Sequence, residues 1–170
     1  MSRKSTEFDA FGVKYRTKQF PAIRGLELID DSKNIHPCEI LELTEAQDVQ
    51  GNWHSLAHPD NINRYVRDVI EVLSPLLVLK AVADLVNEYS FGFLLSWKGV
   101  KIPARFTDSF RAVVTQNAQP LVSQLVQDKT ADIRSLEEYY SLEDAFKMFD
   151  IMVAKGVNEA LANEAASRDK

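Results

Sequence analysis

The chain has 170 residues, 45% of them hydrophobic and 26% charged, with 20 Lys and Arg against 25 Asp and Glu for a net charge of −5. This mix describes a globular protein, expected as a single domain over 1–170, and excludes a globally disordered, collagen-like or low-complexity chain. The acidic balance argues against nucleic acid as a partner, because that binding depends on cations that neutralise phosphates.

The charge is unevenly spread. Residues 1–24 hold six Lys and Arg against two acids, while residues 25–60 hold Lys33 alone against eight acids. The two segments therefore read either as solvated faces of opposite sign or as surfaces that dock on each other or on complementary partners. A lone cysteine, Cys38, has no internal disulfide partner, and a reducing compartment is expected. The opening six residues carry positive charge without an apolar stretch behind them, so no secretion signal is expected. Residues 1–6 and 166–170 are expected to fray. The most apolar run, Leu76 to Val86, is broken by Lys80 and Asp84 and falls short of the roughly 20 residues of a membrane span.

In chain order, residues 8–17 read as a β-hairpin: Phe11, Val13, Tyr15 and Thr17 alternate with small or charged positions, and Gly12 suits a tight turn. Pro21 then opens a short amphipathic helix with Ala22, Ile23, Leu26 and Ile29 on one side. Gly25 inside it points to a close packing contact. Residues 32–59 read as irregular with short helical pieces, and Thr44–Gln47 resembles a capping box. Asp60 caps a helix carrying Ile62, Tyr65, Val66, Val69, Ile70 and Leu73. Ser74-Pro75 starts the next helix, apolar almost all round and so expected to be central and covered on most sides. A second small hairpin is expected at about 94–103, with Lys98-Gly99 at its turn. Helices follow at 107–116, 119–128 and about 131–140. A long one runs from Ser141 to about Ala166, with Leu142, Ala145, Phe146, Phe149, Met152, Val153, Val157, Ala160 and Leu161 on its apolar face. The expected fold class is mostly α, a single helical domain with one or two small hairpins.

The sequence carries little recognisable chemistry. His36, Cys38, His54 and His58 are the best metal candidates, but Pro37 separates the first two and their spacing is tighter than structural zinc pairs use. Glu39, Glu42, Glu45 and Asp48 recur every three residues, as a solvated acidic stripe on a helix would. Nucleophile elbow, phosphate-cradling glycine loop and dinucleotide fingerprint are missing from the sequence. No enzymatic activity and no cofactor are expected. The face formed by Phe146, Phe149, Met152 and Val153 has two readings: intramolecular core, or a surface that grips a partner's amphipathic helix.

The stretch 11–28, Phe-Gly-Val-Lys-Tyr-Arg-Thr-Lys-Gln-Phe-Pro-Ala-Ile-Arg-Gly-Leu-Glu-Leu, resembles the opening of tail assembly chaperones of long-tailed bacteriophages. There a small hairpin ending in Tyr leads into a Gln-hydrophobic-Pro-Ala element and a Gly-Leu helix. The segment Phe106-Thr107-Asp108-Ser109-Phe110-Arg111 is similar to that family's Phe-rich stretch. The resemblance implies a protein of the bacterial host's cytoplasm that covers the long helical tape measure protein and assists recruitment of the tail tube protein; self-association is a further, separate possibility. A structural tail or connector subunit of the virion, or a helical regulatory module that binds another protein, are the alternatives.

Overall fold

The computed structural model describes residues 3–31, 35–106 and 115–168. The first hairpin joins β1 (Ser5–Ala10) to β2 (Val13–Lys18), closed by the Ala10–Val13 pair, which leaves Phe11-Gly12 as a two-residue loop. Both loop residues have positive φ, 54° and 81°, the backbone that matches the twist of paired strands. Val13, Tyr15 and Thr17 turn one face of β2 inward, and Phe8 stacks on Tyr15 across the pair at 5.4 Å.

This hairpin is half of a larger sheet. β3 (Thr44–Gln47) and β4 (Trp53–Ser55) extend it antiparallel in the order β1-β2-β3-β4. The Thr17 and Thr44 hydroxyls meet at 2.9 Å in the interior. Between β3 and β4 the Asp48 carboxylate accepts the N–H groups of Gln50 and Asn52, and Gly51 takes φ 90°. The mostly α expectation is thereby corrected: the described residues form a mixed α and β fold, about 55% helical with 14% in a four-stranded antiparallel sheet. Thr44–Gln47 is a strand rather than a capping box, and segments of three and four residues are too short for alternation to stand out. A real capping box lies just upstream, where the His36 ring accepts the Cys38 N–H and the Glu39 carboxylate accepts the His36 N–H.

The other described elements are helical. These are α1 (Ala22–Asp30), α2 (Pro37–Ile40), α3 (Pro59–Tyr65) and α4 (Pro75–Phe91), followed by α5 (Phe93–Ser96), a 3-10 turn at Ala104–Phe106, α6 (Pro120–Gln127), α7 (Ile133–Glu138) and α8 (Leu142–Arg168). Val13, Tyr15, Leu41, Ala46, Leu56, Ile62, Val78, Val82 and Val86 form the core between the sheet and α2, α3 and α4. A second core joins α1, α6, α7 and α8 through Ala22, Val122, Leu125, Leu136 and Ala145. Phe20, buried and stacked on Phe91 at 5.7 Å, lies at the joint between them. There the Ala22 N–H donates to the Tyr140 carbonyl, and Gly25 leaves room for Leu142, whose Cβ would lie 3.2 Å from an added methyl.

Further expectations are corrected. Residues 97–103 form no strand, so the second hairpin is absent: Phe93 and Trp97 are drawn onto Phe146 in an aromatic cluster, and Gly99 is not among the positive-φ glycines. Pro21 precedes α1 in extended conformation instead of opening it. The helix expected to reach Leu73 stops at Tyr65, because the Asp68 carboxylate captures the N–H groups of Ile70, Val72 and Leu73. α4 is not covered on most sides: its buried residues form the single stripe Val78, Val82, Val86 and Ser90. Of the segments expected to fray, Ser5 and Thr6 lie in β1 and α8 continues to Arg168. Most of the helix expected at 107–116, and of the Phe106–Arg111 segment, lies outside the described residues.

Candidate functional site

The partner-binding candidates all sit on α8. Its start is fixed by Ser141, whose hydroxyl accepts the Asp144 N–H while the Asp144 carboxylate accepts the Ser141 N–H. In the same first turn, Glu143 accepts hydrogen bonds from Lys147, Gln19 and Lys4, tying the helix to the N-terminal segment. The Lys147 bond is the main reason the Glu143 carboxyl is held below its usual range.

Along this helix only Leu142 and Ala145 are fully buried. Phe146 meets Phe93 and Trp97 edge to face, each at 5.6 Å, and Phe149 packs against the second core. Met152 and Val153 are half-buried further along. The structure thus divides the four: Phe146 and Phe149 are engaged within the chain, while Met152 and Val153 lie where α8 leaves the second core.

A more exposed apolar surface lies elsewhere. Val69, Ile70, Val72, Leu73, Leu76 and Leu77 stand exposed within nine consecutive positions, with Ile70 at 79%, Val72 at 76% and Leu76 at 74%. Helical periodicity assigns Val69, Ile70 and Leu73 to a packed helix face, and the dense apolar run of α4 reads as interior, so sequence reasoning missed them. The one local signal was Asp68, an Asx residue able to stop a helix by binding nearby N–H groups. The strip is fastened at one end, where the Val69 N–H donates to the Phe11 carbonyl and Val69 lies against Gly12.

The metal candidates have separate duties. His36 caps α2, Cys38 is half-buried against the sheet core, and His58 precedes α3. His54 stacks on Tyr65 at 4.3 Å and hydrogen-bonds Asp48 at 2.9 Å, which with three further hydrogen bonds holds the Asp48 carboxyl well below its ordinary range. Among the described residues no three His, Cys, Asp or Glu side chains converge as a metal site.

The acidic run is not one helical stripe. Glu39 and Glu42 converge with Glu27 on the Arg24 guanidinium, Glu45 pairs with Arg16, and Asp48 organises the β3–β4 turn. The hydrogen bonds that Arg24 donates to those carboxylates, Glu42 foremost, hold it firmly in its charged form. Basic 1–24 and acidic 25–60 are thus in direct contact through Arg16 and Arg24. No described helix is long and apolar enough to cross a membrane. Comparisons with protein-family models, with characterised proteins and with solved structures find no match for the chain.

Proposed function

We propose that this chain is a non-enzymatic assembly chaperone of a long-tailed bacteriophage, which shields the apolar stripe of the tape measure protein and assists recruitment of tail tube subunits in the host cytoplasm. The observation that carries the reading is the concentration of six exposed apolar side chains at 69–77. Surfaces of that kind on soluble proteins mark sites that other macromolecules cover. An amphipathic helical client offers i, i+3, i+4 apolar anchors to such a surface, and the half-buried Met152 and Val153 extend the apolar area available on α8. The resemblance of 11–28 to tail assembly chaperones supplies the identity of the client. The same strip also allows two copies to associate when no client is present.

Co-expression with the tape measure protein tests this. The wild-type chain should co-purify with it, and Ile70→Asp combined with Leu76→Asp should abolish co-purification while circular dichroism stays unchanged. Phe149→Asp should instead lose about 2–3 kcal/mol of stability, because it places a charge against the second core. Undiminished co-purification by the folded double variant would remove the strip as the client site. Stoichiometric presence in mature particles would replace the chaperone with a structural tail subunit.

A further inference from the structure

At the turn end of the sheet, the β1–β2 loop, the β3–β4 turn and the end of α3 enclose a cavity of about 410 Å³, within the size range of small-molecule sites. Lys14 from β2, Arg64 from the last turn of α3 and Arg67 just beyond it all line this cavity. None of these three has a carboxylate ion-pair partner among the described residues, whereas Arg16, Arg24, Arg105, Arg134 and Arg168 each have one. Three cations without a carboxylate partner among the described residues, from two segments of the chain, thus line one cavity in a protein whose net charge is −5.

Asp48 also lines the cavity, and both its oxygens are engaged. Oδ1 accepts the Gln50 and Asn52 N–H groups, and Oδ2 accepts from the Asn52 side chain and pairs with His54. It is therefore occupied in holding the turn. Asp48 is the one carboxylate among the residues lining the cavity, so the lining itself carries more cations than anions.

We infer that this cavity binds a small phosphate ester, with Arg64, Arg67 and Lys14 holding the phosphate dianion. Guanidinium forks and an ammonium are the side chains best suited to phosphate oxygens. The volume exceeds what a bare phosphate fills and leaves room for a compact organic group. Tyr65 is already engaged by His54 and lies under Arg64 at 5.4 Å, so the site is not built to stack a nucleobase. A polyanionic strand is disfavoured for another reason. Asp9 lies across from Lys14 in the hairpin, and Asp68 follows Arg67, so the positive field is confined to the cavity and does not extend along a track.

Isothermal titration of the full chain with ribose 5-phosphate, inorganic phosphate and a single-stranded oligonucleotide tests the assignment. Ribose 5-phosphate should bind saturably with one site per chain and more tightly than inorganic phosphate. Arg64→Gln and Arg67→Gln should each weaken it about tenfold, as loss of a charged hydrogen-bonding group does. Lys155→Gln on the exposed side of α8 should leave it unchanged. All three cations are exposed, so the variants should keep the wild-type circular dichroism spectrum. Three results would each overturn the site: no saturable binding of ribose 5-phosphate, unchanged affinity in the folded Arg64→Gln/Arg67→Gln double variant, or tighter binding of the oligonucleotide.

Discussion

Gly12 does two things that no other residue could do at once. Its φ of 81° lies in the left-handed region, and a Cβ there would sit 3.0 Å from two carbons of the Val69 side chain. Gly12→Ala should therefore cost about 2 kcal/mol, the left-handed penalty with the displacement of Val69 added, as read by urea unfolding. An unchanged midpoint would mean that neither constraint holds. Tyr15 is the second decisive residue. Its hydroxyl donates to the Tyr65 carbonyl at 3.3 Å, and burial pushes its pKa up to about 12, against a smaller opposing pull from the Arg67 charge. Because the folded value lies above the unfolded one of about 10, the contribution is complete below pH 10 and disappears as pH rises through 12. Tyr15→Phe should accordingly flatten the stability profile between pH 10 and 12 by about 2–3 kcal/mol, and identical profiles for the two proteins would refute the assignment. Alternation in the sequence marks Tyr15 as inward-facing and Gly12 as a turn residue, but it does not reveal Val69 or Tyr65 as their partners.

Elements bounded by strong local chemistry follow their sequence signals closely. α8 starts where Ser141 and Asp144 form a capping box, and α6 buries Val122 and Leu125 from the face its spacing marks. Elements defined by long-range pairing do not. β3 exists because Thr44 and Ala46 meet Thr17 and Tyr15 on a strand nearly thirty positions away, and no window around residues 44–47 contains that partner. The 66–74 segment departs from helical periodicity because one carboxylate outcompetes the helix: Asp68 accepts three backbone N–H groups, each at 3.0 Å. Those bonds hold its pKa below the ordinary value, Ile70 contributing most. The loop is thus fully held above the unfolded pKa of about 4 and released as pH falls through the lower folded value. Asp68→Ala should open 69–74 to limited proteolysis at neutral pH. A cleavage pattern like wild type would show that other contacts carry the loop.

The aromatic pair Phe20–Phe91, one of the links between the two cores, makes the whole molecule sensitive at Phe20. Its ring is 2% exposed and stacks on Phe91 at the end of α4, while the next residues enter α1 and the second core. Phe20→Ala should cost about 3–5 kcal/mol and split thermal unfolding into a sheet-core and a helical-core transition, because the joint loses its filling. A single transition at the wild-type temperature would show that the cores are coupled elsewhere. Amino-acid order alone was enough to determine the first hairpin, the positions of α1, α6 and α8, and the cap that begins α8, since each rests on contacts within a few residues. It also placed Phe146, Phe149, Met152 and Val153 along one face of α8. Only tertiary structure decided that the hairpin grows into a four-stranded sheet, that α4 buries a single stripe, and that Phe146 turns to Phe93 and Trp97. The exposure of 69–77 belongs to the same group: hydrophobicity is a property of the side chain, whereas burial depends on which surface the rest of the chain brings to meet it.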